Sequence, residues 1–156
     1  MAKKQISKLE DHIGYWLRFL SNYIHNSFES KLNHRNISVA QWVVLRTLYD
    51  EKGIGVMEAA KMIGIDKSSL SRMIDRLIDR GLVVRTQGDD RRSVNLSLTA
   101  AAKKLVPQLA KLADQNDKQF FQILNVNAKK QFLTTIHQIL IANGWKREER
   151  GLDVMK

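Results

Sequence analysis

The sequence predicts a mainly α protein with one small β-hairpin, and three observations carry that prediction. Apolar residues recur three and four apart in most of the chain, the period of amphipathic helices. One pair of strand-like runs interrupts them, Leu82-Val83-Val84-Arg85 and Val94-Asn95-Leu96-Ser97-Leu98, around a polar loop at Gln87 to Arg92. Proline occurs once and glycine 8 times in 156 residues, so long loops and interdomain hinges are not expected.

In chain order, Ile6 to about Leu32 reads as one long helix. Ile6, Leu9, Ile13, Trp16, Leu20 and Tyr23 form a heptad-like seam, and Tyr15, Leu17, Phe19, Ile24 and Phe28 lie off it. A helix apolar on more than one face needs more than one partner surface, which predicts packing on its own domain and on a second subunit. Asn33 to Asn36 breaks the pattern. Ser38 caps the next helix, to about Tyr49, with Val39, Trp42, Val43, Leu45, Arg46 and Leu48 on its inner face. Asp50 to Gly53 is a turn, and Ile54-Gly55-Val56 can form a very short strand beside the hairpin.

Met57 to Ile63 is a short helix, Gly64-Ile65-Asp66 a tight turn, and Asp66 an N-cap for a helix ending at Gly81. In this last helix Leu70, Ile74, Leu77 and Ile78 make a buried stripe with Met73 on its flank. Lys67, Ser68, Ser71, Arg72, Asp75, Arg76 and Asp79 are left to solvent. The first half of that face is basic and rich in hydroxyls without bulk, which suits a helix end entering a major groove. Adjacent arginines at the hairpin tip, Arg91 and Arg92, favour an anionic neighbour such as phosphate or a narrow minor groove. A helix-turn-helix followed by a basic hairpin is the winged helix-turn-helix layout.

Thr99 caps a helix from Ala100 carrying Leu105, Leu109, Leu112, Ala113, Phe120, Phe121 and Leu124, with a kink or restart expected near Val106 because of Pro107. After a break at Asn125 to Asn127, a last helix runs from Ala128 to Asn143 and stops at Gly144. The charged tail from Trp145 is expected to fray. The organisation is therefore residues 1–36 as an N-terminal dimerisation helix, 37–99 as a winged helix-turn-helix, and 100–156 as C-terminal dimerisation helices and tail. A two-fold dimer spaces its two reading helices about 34–36 Å apart, one helical turn of DNA.

Net charge of +10 points to a polyanionic partner. Cysteine is absent, which excludes disulfides, thiolate metal sites and thiol switches. No apolar run reaches membrane-spanning length and the first residues do not read as a signal core, so a cytoplasmic location is expected.

The runs Ile37 to Leu45, Leu77 to Val83, Asp89 to Val94 and Leu98-Thr99 together resemble the MarR family of bacterial transcription regulators. Its most specific parts are Arg76 to Val83, of the form Arg-Leu-x-x-Arg-Gly-Leu-Val, and the wing Asp90-Arg91-Arg92. The likeness covers nearly the whole chain. It implies a homodimer on a pseudo-palindromic double-stranded DNA operator, usually a repressor, with no cofactor. By position Lys67, Ser68, Ser69, Ser71, Arg72 and Arg76 match the family's major-groove helix, and Arg92 its minor-groove arginine. Asp90 matches the wing aspartate that orients the loop; Ser38 and Arg91 complete the expected interface. Arg72 and Arg76 are both candidates for guanine contact. Ala102 stands where the family commonly has glycine, which favours helix continuation.

Many relatives bind aromatic acids between the dimer helices and the reader. His12, Tyr15, Arg18, Phe19, Trp42 and Arg46 offer flat walls and cations for one, although Trp42 and Phe19 equally suit a plain core. Three rival readings fare worse. Catalysis lacks a motif: His12, His25, His34 and His137 are scattered, without i,i+4 pairing, a glycine-rich phosphate loop or a nucleophile elbow. An architectural DNA binder without sequence choice shares the basic charge and differs only in how affinity responds to salt. A membrane-surface helix at Ile13 to Leu20 fits less well than subunit pairing, because the seam is heptad-like.

Overall fold

The computed structural model describes residues 6–51, 53–88 and 94–146. Among the described residues six α-helices and three strands form in the order α1 (Ile13–Asn33), α2 (Val39–Asp50), β1 (Ile54–Gly55), α3 (Val56–Ile63), α4 (Lys67–Asp79), β2 (Val83–Gln87), β3 (Val94–Leu98), α5 (Ala100–Phe121) and α6 (Val126–Ala142). The chain divides into two compact units, Met1–Lys118 and Gln119–Lys156.

The core of the first unit gathers Leu32, Ile37, Val44, Leu45, Leu48, Ile54, Leu70, Ile74, Leu77, Leu96 and Leu109, all buried. Fully burying such a side chain contributes about 1.5–3 kcal/mol, so this cluster dominates the local energetics. The sheet has strand order β1-β3-β2 and is antiparallel throughout. Ile54 faces Leu96 and Val83 faces Leu98, so each strand turns its apolar side to the core. The two-residue β1 thus pairs with the hairpin as expected.

Five expectations are corrected. The first helix starts at Ile13, not Ile6: Leu9–Asp11 is a separate 3-10 turn, and Trp16 Nε1 donates to the Glu10 carbonyl at 2.9 Å, holding the turn back on the helix. On α2 the buried apolar residues are Val44, Leu45 and Leu48, whereas Val43 and Arg46 are exposed. Leu45 and Leu48 keep the expected inner position, Val39 and Trp42 pack half-buried against the core, and Val44 takes the place expected of Val43 and Arg46. Strand β2 continues through Gln87, paired with Val94, so the loop begins at Gly88. Helix α5 continues past Pro107 with no restart near Val106; Pro107 and Lys103 are both exposed, so the carbonyl left without its donor faces water. Helix α6 begins at Val126, because the Asn125 side chain accepts the Ala128 N–H at 2.8 Å and is itself the cap.

A buried polar tie joins α1 to α5 in the first unit. Asn116 is 2% exposed; its amide donates to the Ile24 carbonyl at 3.2 Å and accepts from Lys31 Nζ at 3.1 Å. Lys31 also donates to Ser27 Oγ at 2.8 Å. Ala102, the departure from the family pattern, is fully buried inside continuous helix.

Candidate nucleic-acid interface

The first turn of helix α4 is fixed by a side-chain cap. The Asp66 carboxylate accepts the Ser69 N–H at 2.9 Å and the Ser69 hydroxyl at 2.6 Å. The hydroxyl, then the amide, holds that carboxyl below its ordinary range, since both bonds favour the charged form. The turn before it closes on Gly64, at φ +78°, and the helix ends on Gly81, at φ +66°. An added Cβ would meet nothing within 4 Å at either glycine, so backbone angle alone, not crowding, demands the residue.

Leu70, Ile74 and Leu77 are buried, which fixes the rotation of α4 about its axis. The opposite face then presents Ser68, Arg72, Asp75, Arg76 and Asp79, with Lys67 at its leading edge, all exposed. Among the described residues no carboxylate pairs with Lys67, Arg72 or Arg76. Arg72 and Arg76 lie one turn apart, and like charges at that spacing cost ~0.2–0.5 kcal/mol unless an anion lies between them. Ser71 is half-buried at the flank of this face. Ser69 belongs with the cap: its hydroxyl proton is committed to Asp66, which leaves it only as an acceptor.

Ser38 is also occupied locally. Its hydroxyl accepts the Gln41 N–H at 3.1 Å while Gln41 Oε1 accepts the Ser38 N–H at 3.1 Å, a reciprocal cap of α2. Asp90, Arg91 and Arg92 lie outside the described residues; strands β2 and β3, which lead to and from them, are paired up to Gln87 and Val94.

Three supports of α4 escape a sequence reading. Arg85 of β2 pairs with Asp75 at 2.6 Å, tying the hairpin to the reading face. Arg80 donates from Nη1 to the Asn36 carbonyl, beyond the end of α1. Thr99 donates from its hydroxyl to the Gly81 carbonyl at 2.8 Å and accepts the Ala102 N–H at 3.2 Å. Thr99 was legible as a cap of α5. The two arginine contacts bridge residues 10 and 44 apart and left no periodic signal.

The six residues expected to hold an aromatic acid fall into separate groups within one chain. Tyr15 packs edge-on to Phe19, with ring centroids 4.8 Å apart, and to Trp16 at 5.3 Å. Arg18 lies on the same stretch of α1; His12 is the N-cap residue of α1, its Nε2 3.2 Å from Ser7 Oγ. Trp42 instead packs edge-on to Phe28 at 6.1 Å, and Arg46 pairs with Asp50 and lies over the Tyr49 ring. Phe28 is nine residues beyond Phe19, about 13 Å along the helix axis, so Trp42 and the Tyr15–Phe19 pair sit at different levels. No group of histidine, aspartate and glutamate among the described residues is arranged to hold a metal, and none of the described helices is long and apolar enough to cross a membrane.

A helix-turn-helix whose second helix bares a hydroxyl-and-arginine face, backed by a three-stranded wing sheet, defines a winged helix-turn-helix of the nucleic-acid-binding class. Comparison with known proteins narrows this. The MarR family model matches residues 37–94. The HTH-type transcriptional regulator FarR of Neisseria gonorrhoeae is 31% identical over 98 residues, covering 62% of this chain and 67% of that one. A MarR transcriptional regulator from Methanosarcina mazei Go1 is 30% identical, with a TM-score of 0.72 over 85% of this chain and 95% of that one. The transcriptional repressor CouR, known from Rhodococcus jostii RHA1, is 26% identical in its complex with a 23-mer DNA duplex, with a TM-score of 0.78 over 88% of this chain and 99% of that one. The chain belongs to the MarR family of transcriptional regulators.

Proposed function

We propose that the protein is a homodimeric, sequence-specific repressor that sets one α4 helix into each of two successive major grooves. The observation that carries this is the two-faced character of α4. Its inner face buries Leu70, Ile74 and Leu77, and its outer face offers Ser68, Arg72 and Arg76 with no described carboxylate paired to the arginines. Lys67, Ser68, Ser71, Arg72 and Arg76 contact bases and phosphates, and Ser38 and Ser69 serve by shaping helix starts. Arg92 enters the flanking minor groove, with Asp90 and Arg91 forming its loop. Residues 1–36 and 100–156 supply the subunit contact, which the exposed apolar face of α1 supports. Such a regulator works where the DNA is, in the cytoplasm, and carries out no catalysis.

CouR, a relative, is described both on a DNA duplex and bound to p-coumaroyl-CoA. By analogy an aromatic acid or its ester releases this protein from DNA, held against the Tyr15–Phe19 pair with Arg18 as the cation. The coupling needed is about 1–3 kcal/mol, enough for several-fold to hundred-fold control.

Footprinting on the DNA flanking its own gene tests the first part. We expect one protected site with two-fold character, bound far more tightly than random duplex as salt rises. Arg92→Ala weakens binding and lowers the salt slope by about one unit. Equal affinity for all duplexes at every salt concentration identifies an architectural binder instead.

A further inference from the structure

Arg80 closes helix α4, and its guanidinium is spread over a corner of the fold that is distant in sequence. Nη1 donates to the Asn36 carbonyl and, at 3.4 Å, to Gln41 Oε1, while Nη2 reaches the Arg35 carbonyl at 3.5 Å. The two carbonyls belong to the passage from α1 to α2, and Gln41 lies in the first turn of α2 that the passage enters. That passage is itself constrained. Asn36 holds φ +52°, in the left-handed region, and Glu29 Oε2 accepts the Val39 N–H at 2.8 Å. Gln41 is at the same time one half of the reciprocal cap on Ser38. The Arg35 and Asn36 carbonyls follow the C-terminus of α1, the negative end of its dipole, where a cation is favoured. Only a planar fork reaches several acceptors in one plane; an ammonium is a single point charge.

We infer that Arg80 is a positioning residue: it bolts the C-terminal end of the reading helix to the α1–α2 corner, so that the angle of α4 follows α1. This rests on the proposed reading of DNA by α4. It assigns Arg80 a role different from that of Arg72 and Arg76, although all three are exposed cations on one helix. An arginine whose donors are committed to protein carbonyls is poorly placed to neutralise phosphate as well. It also gives a route from α1, where an effector is proposed, to the reading face: displacement of the α1–α2 corner drags the last turn of α4.

The test compares the parent chain with Arg80→Lys and Arg80→Ala. The probes are the duplex that the parent selects from a randomised library and a scrambled duplex of the same composition. Both variants are expected to lose at least about fivefold in the ratio of selected to scrambled affinity. The salt slope should stay that of the parent, because no phosphate contact is removed. In the unbound chains, amide exchange at Arg35 and Asn36, whose N–H groups donate to Leu32 and Asn33, should speed up in both variants. Arg80→Lys behaving as the parent while Arg80→Ala loses about one unit of salt slope makes Arg80 a phosphate contact and overturns the inference. Unchanged amide exchange, or faster exchange with discrimination intact, overturns it as well. A parent that selects no duplex refutes the DNA reading itself, and this is seen before any variant is made.

Discussion

The winged core and helix α1 treat apolar side chains in opposite ways. In the core α4's inner stripe is sealed at Leu70, Ile74 and Leu77, which are fully buried, with Ile78 half-buried beside them. On α1 the residues with the same helical spacing are bare; Ile13 is 77% exposed, Trp16 56% and Tyr23 67%. Only its last turns, at Phe28 and Leu32, join the core. One region seals its apolar stripe within the chain, and the other leaves its stripe bare, as the proposed subunit contact requires. Isolated exposed apolar residues are ordinary, but a continuous stripe along one helix marks a contact surface. Helix α6, in the second unit, repeats the pattern, with Ile139, Leu140 and Ile141 exposed.

The sharpest way to break this comparison is to charge the α1 stripe. Ile13→Lys combined with Leu20→Lys leaves the core untouched, since both side chains are exposed. We expect a folded monomer by sedimentation. Its melting temperature should no longer depend on concentration, and its operator affinity should fall by ~10²–10⁴ through loss of the second half-site. An unchanged dimer after both substitutions assigns the interface elsewhere.

The reverse experiment cuts the core. Leu70→Ala removes a side chain with no solvent exposure, on the hidden side of the reading helix. The loss expected is about 2–5 kcal/mol, read by denaturant titration and equal at low and high protein concentration. A loss under 1 kcal/mol would mean that α4's inner face is far less tightly packed than its burial indicates.

The contrast between the two regions also explains what the sequence could convey. Most of what is local was legible, the Asn125 cap of α6 excepted. Asp66, Gly64 and Gly81 announce the limits of α4 because capping and left-handed turns involve a few consecutive residues. The strand β3 alternates because one face is buried. The family resemblance was legible for the same reason, since its motifs are contiguous. Errors arose where two neighbours compete or where a distant group decides. Val43 and Val44 are chemically equivalent, and only the packing of α2 against the core selects Val44. Helix α1 is shorter than its period predicts, because Ile6 and Leu9 continue that period while the Trp16 indole folds their segment back as a separate turn. The Arg80 and Arg85 contacts needed the fold before they could be seen. They are part of the candidate site all the same, since they fix the helix that Arg72 and Arg76 ride on.

The smallest expected effect lies at the exposed cap of α4, a helix buried on one face and bare on the other. Asp66 accepts two bonds from Ser69, and those bonds hold its carboxyl below the ordinary value of 3.8. A carboxyl whose folded pKa lies below its unfolded one stabilises the fold fully above the unfolded value. That contribution fades as pH falls through the folded value, because the neutral acid no longer attracts the amide as strongly. Asp66→Ala should therefore lower the melting temperature at neutral pH, and the gap between parent and variant should narrow below about pH 4. Ser69→Ala removes the largest cause of the shift and should move the Asp66 titration, followed by NMR, back toward 3.8 while keeping the backbone cap. If the gap persists unchanged into acid, the cap acts through backbone geometry alone. The charge at the start of the reading helix is then available to repel or orient DNA rather than to hold the helix.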